Sequence, residues 1–151
     1  MIARCGRRRA KFDAHTRTGL MSDFTKLLVW KKAHALTLSI YRESAVWPRH
    51  EQYGLISQTR RAASSIPSNI AEGCGRDGDA ELARYVSIAK GSAAELAYLL
   101  LLATDLGYRS SVKPDTTRDA VVEVQRMLWS LEQKLRSSDK RGANRQRAAR
   151  S

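Results

Sequence analysis

The stretch GCGRDG, residues 73–78, sets Gly73 and Gly78 at the G-x-x-x-x-G spacing with which a phosphate loop wraps a nucleotide in backbone N–H groups. That chemistry also needs a lysine for the β- and γ-phosphates and a Ser or Thr for Mg²⁺. Asp79 and Ala80 stand at those two positions, and a helical pattern precedes the glycines where a strand is needed, so the stretch reads as an interhelical turn. His15, His34 and His50 are scattered with no partner at ligand spacing, which points to neither a metal site nor a general base. Serines are plentiful, yet no G-x-S-x-G elbow surrounds any of them. Glu72, Glu81 and Glu95 are candidates for paired acid–base carboxylates, but they read better as surface partners of Arg76, Arg84 or Lys90. Cys5 and Cys74 are too few for a structural zinc site and suggest no disulfide framework. No catalytic residue, metal or cofactor is expected, and the chain reads as non-enzymatic.

What remains is positive charge. The formal net charge is +12, but residues 1–20 contribute +5, residues 138–151 contribute +4, and the body between them only +3. Within the body, Arg60, Arg61, Arg76, Arg84 and Lys90 sit at helix-facing or loop positions and are the candidate nucleic-acid-binding residues. If copies assemble in a ring, each modest cluster is multiplied into a surface able to hold several phosphates. The competing reading is a solvated charged face, since the body is nearly balanced and offers no row of aromatics on which bases stack. Trp30, Trp47 and Trp129 are dispersed and read as core or edge packing.

Four segments of helical periodicity must position these residues. Residues 23–46 carry Val29, Ala33, Leu36 and Ile40 on one face, with Ser22 as N-cap and Trp47-Pro48 as terminator. Residues 51–74 carry Leu55, Thr59, Ala62, Ile66, Asn69 and Gly73 on a stripe, with Ile70 beside it. Pro67 interrupts that segment and orphans the Ala63 carbonyl, a cost of about 3 kcal/mol in an isolated helix. Ser64, Ser65 and Ser68 offer compensating hydroxyls, and Ala62, Ala63 and Ala71 admit a close neighbour, so a bent but continuous helix is predicted.

The third helix starts after the 73–78 turn, with Asp77 or Asp79 as cap, and runs to about Leu106. Leu82, Tyr85, Ala89, Ser92, Leu96, Leu99, Ala103 and Leu106 form its stripe, with Val86, Ala93 and Leu100 beside it. Leu99, Leu100, Leu101 and Leu102 point all round a helix at 100° per residue, which one bundle core does not cover; they are the predicted oligomer interface. Gly107 ends this helix, and Pro114, Asp115 and Thr116 mark the start of a fourth, whose stripe is Val121, Val124, Leu128, Leu131 and Leu135. The fold class is therefore all-α, an antiparallel up-and-down four-helix bundle assembling as a ring-shaped homo-oligomer.

The bundle is expected over 21–137. Residues 1–20 read as a disordered basic arm or, with Met21 as the true start, as a mis-assigned extension. Residues 138–151 read as a disordered basic tail, both tails having few apolar residues to offset ordering entropy. No secretory h-region and no uninterrupted apolar run of about 18 residues is present, so no membrane partner and a cytoplasmic location are expected.

The stretches LLVWKKAHALTLSIY (27–41), YGLISQTRRAASSIPSNIAEGCGR (53–76) and ELARYVSIAKGSAAELAYLLLLATDLGY (81–108) closely resemble the bacterial family of 23S rRNA-intervening-sequence proteins. The resemblance covers about residues 23–135. It implies a small up-and-down bundle that forms a ring, typically a pentamer, in the cytoplasm. Related bundles look like accessory subunits of reverse transcriptases in diversity-generating retroelements, whose basic ring surfaces hold nucleic acid. Carried over, that touches Arg60, Arg61, Arg76, Arg84 and Lys90. Gly78 departs from the family's usual Ser or Thr cap. Two functions follow as expectations: RNA binding by the basic surface of an oligomer, or a structural adaptor that binds another protein, such as a reverse transcriptase.

Overall fold

The computed structural model describes residues 23–148 apart from Ser111 and Lys113. The arm at 1–20 and the Ser22 cap lie outside the described residues. Four α-helices follow in order: α1 Leu28–Glu43, α2 Leu55–Cys74, α3 Asp79–Asp105 and α4 Thr116–Ala148. Among the described residues there is no strand, so the chain is all-α. α3 lies between α2 and α4, and α1 closes the arrangement by packing on both α2 and α4. Their apolar stripes meet in one core, within which Ile40, Ile66, Ile70, Leu96, Leu100 and Leu128 are fully enclosed.

α1 is shorter than its periodicity suggested. The Asp23 carboxylate accepts from the Thr25 N–H at 3.2 Å and organises a 3₁₀ turn over Phe24–Lys26, after which the α-helix begins at Leu28. Another 3₁₀ turn, Ser44–Val46, follows the helix, and Trp47 is extended at ψ 161°, as a residue before proline must be. Val29, Ala33, Leu36 and Ile40 are buried as the spacing predicts.

α2 runs unbroken through Pro67. The carbonyl of Ala63, which has no N–H to accept at position 67, receives a hydroxyl from another helix: Thr37 Oγ1 of α1 lies 2.9 Å from it. The same Oγ1 is 2.9 Å from the Ala33 carbonyl, which already has a helical N–H partner. A hydroxyl has one proton, and the Ala63 oxygen is the acceptor that needs it. The serines contribute locally, Ser68 donating to the Ser64 carbonyl at 2.8 Å. α2's small face meets α3 closely, with Ser65 and Ser92 hydroxyls 2.9 Å apart. A Cβ placed on Gly73 would lie 2.8 Å from Tyr85 Cβ and 2.9 Å from Leu82 Cδ1, so only glycine permits this approach.

α3 enters without the expected aspartate cap. Its N-cap is Gly78 at φ +88°, and Asp79 and Glu81 in the first turn complement the helix dipole instead. Gly107, at φ +74°, ends it: its N–H bonds the Thr104 carbonyl at 2.9 Å and the Tyr108 N–H bonds the Ala103 carbonyl at 2.9 Å, a Schellman closure. Asp115 caps α4 through the Arg118 N–H at 3.0 Å.

The tail expected to be disordered from residue 138 is instead helical to Ala148. Counting apolar residues misjudged it: a helix already nucleated by the bundle propagates one bond per residue, and Arg, Lys, Gln and Ala extend it readily. Arg141 Nε reaches back to the Ser137 carbonyl at 3.2 Å, and basic side chains suit the negative end of the dipole. Among the described residues α3 alone is long and apolar enough to cross a bilayer, and much of its apolar surface lies in the core.

Candidate nucleic-acid interface

The five basic residues singled out from sequence fall in three separate places. Arg60 and Arg61 lie in the second turn of α2, and Arg76 follows its last turn. From Arg60 to the end of the helix at Cys74 is about 21 Å at 1.5 Å per residue, and Arg76 lies beyond it. They do not form one cluster.

Arg60 is half-buried and ties α2 to the end of α1: its Nε donates to Ser44 Oγ at 2.8 Å, and its guanidinium lies 5.0 Å from the Tyr41 ring centroid. Arg61, one position on, is exposed. At the other end of α2, Arg76 and Arg84 share one aromatic. Their guanidinium carbons lie 5.6 and 4.6 Å from the Tyr85 ring centroid. Arg76 pairs with Glu72 at 2.7 Å, and Arg84 with Glu81 at 3.2 Å, as the helical spacing predicted. Tyr85 Oη donates to Glu72 Oε1 at 2.8 Å. The Arg76 and Tyr85 bonds hold the Glu72 carboxyl below its ordinary range, the arginine counting most. All four charged groups are open to water, so these pairs are weak and screened by salt.

Lys90 is not a free surface cation. It pairs with Glu132 on α4, which is buried and also accepts Arg136 Nη2 at 2.7 Å. Glu95 is not its partner. Lys90 first, and then Arg136, draws the Glu132 carboxyl below its usual value despite burial. Lys90 is thus a tie across the α3–α4 seam.

The four leucines are also redistributed. Leu99 and Leu100 are buried in the chain's own core, Leu102 packs half-buried against it, and only Leu101 is exposed, at 46%. Two neighbouring helices, α2 and α4, cover more of α3's girth than four consecutive leucines suggest. Tyr98 and Leu101 on α3 and Val122 on α4 line one outward-facing depression, and Trp129 is exposed two turns further along α4.

Arg109, in the α3–α4 connection, was not singled out from sequence. Its side chain is 7% exposed; Nε donates to Glu43, Nη1 and Nη2 take both oxygens of Asp115 at 2.9 and 2.8 Å, and Nη1 also reaches Thr104 Oγ1 at 3.2 Å. Thr117 Oγ1 donates to the other Glu43 oxygen at 2.9 Å. These partners, Asp115 above all, keep the guanidinium charged beyond even arginine's usual range, and Arg109 draws the Asp115 carboxyl down. This hub fastens α1, the connection and the start of α4 at one end of the bundle. A lone arginine in YRSSVK gives no hint of it, because Glu43 is 66 residues away. Among the described residues no group of three His, Cys, Asp or Glu is placed to hold a metal.

Four helices around one apolar core define the class of the molecule: an all-α helical bundle. The sequence profile described as 23S rRNA-intervening sequence protein matches residues 25–130, and the chain belongs to that family. No curated protein matches the chain. It is similar to a crystal structure of a protein of unknown function from the S23 ribosomal protein family of Bacteroides thetaiotaomicron VPI-5482. That likeness has a TM-score of 0.65 at 20% identity and covers 70% of this chain and 96% of the other, which supports the shared fold.

Proposed function

We propose that this protein is a non-enzymatic, up-and-down four-helix bundle that closes into a homo-oligomeric ring in the cytoplasm and binds RNA through its basic surface. The observation that carries the reading is the stacking of guanidinium groups on tyrosines: Arg76 and Arg84 over Tyr85, with Arg61 exposed toward the other end of α2. A stacked guanidinium is pre-oriented with donors to spare, and its exposed carboxylate partners yield to phosphate at little cost. The order of contacts supports opposite directions for α1 and α4: Glu43, at the end of α1, meets Thr117, whereas Lys32, nearer its start, meets Glu123 further along α4, at 3.0 Å. Two unlike apolar faces, Tyr98, Leu101, Val122 and Trp129 against Leu38 and Tyr41 of α1, suit the head-to-tail contacts that close rings. A pentamer is the ring the family resemblance implies.

Anisotropy of a labelled single-stranded RNA across a salt series tests the binding. The logarithm of affinity should fall by about 0.7 per phosphate contact per decade of salt, and Arg61→Ala with Arg76→Ala should flatten that slope. Absence of binding at low salt ends the proposal. Light scattering tests the ring: Tyr98→Asp with Leu101→Asp should release folded monomer, and a monomeric parent protein would refute it. A second reading, an adaptor for another protein such as a reverse transcriptase, is favoured by Val46, Tyr53 and Val112, 86, 95 and 76% exposed in the connections joining α1 to α2 and α3 to α4.

A further inference from the structure

Ala80, Ala83, Arg84 and Ile88 of α3 face Arg136, Asp139 and Lys140 of α4 across an open groove of about 590 Å³. α3 begins at Asp79, so α4 runs on past it from about residue 141 to Ala148. That overhang is about 12 Å at 1.5 Å per residue, and it lies beyond the part of the chain that defines the family, which stops at residue 130. Three bases and one acid line the groove. Arg84 and Arg136 are more than half exposed, and each commits only Nε and Nη2 to a glutamate, leaving Nη1 outside those bonds. Lys140 has no ion pair among the described residues and is exposed.

The order of basic residues along α4 gives the groove a direction. At 100° per residue, Arg136, Lys140 and Arg147 fall within about 40° of one another, whereas Arg141 and Arg145 share a register on the opposite side. On that register the first three positions mark out a rail of about 16 Å along α4, from the groove opposite Arg84 onto the overhang. Ala80 and Ala83 keep the floor shallow, and Ile88, 43% exposed, gives it an apolar step.

We propose that this groove and the rail leading out of it form the track for a single-stranded phosphodiester backbone, with Arg84 on one wall, Arg136 and Lys140 on the other, and position 147 next in register along α4. The proposal rests on the RNA-binding reading above and locates its principal contact on residues specific to the C-terminal half of α4. Phosphate is favoured over an acidic peptide because the donors, guanidinium forks at Arg84 and Arg136 and an ammonium at Lys140, follow a line that matches a uniformly charged strand, while Ala80, Ala83 and Ile88 make only a shallow apolar floor to anchor a side chain.

The experiment uses the full chain and a fluorescein-labelled single-stranded RNA. Two double variants carry the same change in charge: Lys140→Ala with Arg147→Ala on the rail, and Arg141→Ala with Arg145→Ala off it. Alanine preserves helix propensity in both, and circular dichroism checks it. Losing two single-strand phosphate contacts lowers the salt slope by about 1.4, so the parent's advantage over the rail variant should shrink about sevenfold between about 50 and 200 mM salt. The off-rail variant should keep the parent slope. Equal losses in both variants would show a tail acting by net charge alone and overturn the track, as would an undiminished rail variant or displacement of the RNA by polyglutamate at lower concentration than by unlabelled RNA. A parent protein that binds no RNA at low salt removes the functional reading itself. A parent that binds normally while the rail variant matches it removes only the track.

Discussion

Thr37→Val should destabilise the protein by about 2 kcal/mol, and only because residue 67 is proline. The substitution keeps the shape of a buried side chain and removes its hydroxyl. Ala63's carbonyl then loses the donor at 2.9 Å and stands unpaired in the core, which costs about 1–3 kcal/mol. The Ala33 carbonyl loses nothing, since the helix supplies its N–H. Pro67→Ala restores an N–H that can close the bond to Ala63, so in that background Thr37→Val should cost close to nothing. The coupling between the two sites is the whole effect. Urea unfolding followed by circular dichroism, at one fixed protein concentration because the proposed self-association would be linked to stability, gives all four corners of the cycle. An equal cost of Thr37→Val in both backgrounds would refute the idea that the hydroxyl serves the carbonyl the proline orphans.

Gly73→Ala should lower stability by about 1–3 kcal/mol through the collision with Tyr85 and Leu82, while Gly91→Ala, with open space around it, should raise it by up to about 1 kcal/mol; the two midpoints in urea check the contrast. Arg109→Met strands Glu43 and Asp115 together in a largely enclosed site, costing about 3–5 kcal/mol and lowering the melting temperature by about 10 °C, with partial recovery on acidification. Glu132 has a folded pKa below its ordinary 4.5, so its contribution is complete above that value and is lost as pH falls through the folded one. Lys90→Met should raise the folded pKa, shrink the contribution at neutral pH and move the onset of acid unfolding upward in a pH titration.

The helical stripes were legible because each needs only the repeat of apolar residues, and every position of the α1 stripe is buried where the spacing put it. Continuity through Pro67 was legible too, but its main donor was not: attention to neighbouring serines overlooked a threonine 26 residues away. Pairs within a helix, Glu72 with Arg76 and Glu81 with Arg84, follow from spacing, whereas Lys90 with Glu132 and Arg109 with Glu43 depend on which helices become neighbours. The same limitation explains the leucines, since exposure at Leu101 but not Leu100 is set by α2 and α4. Most consequential was the C-terminal segment: read for hydrophobicity it is poor folding material, read for propensity it is good helix, and the groove at Arg136 and Lys140 became visible only with that helix in place.

The contact at Gly73 acts as a detent. Sliding α2 along α3 by about one turn would bring Asn69 or Ile70 into the space that only a hydrogen now fills, against Tyr85 and Leu82. The two helices therefore move as one plate, which leaves α1, the connections and the far end of α4 as the parts with room to shift.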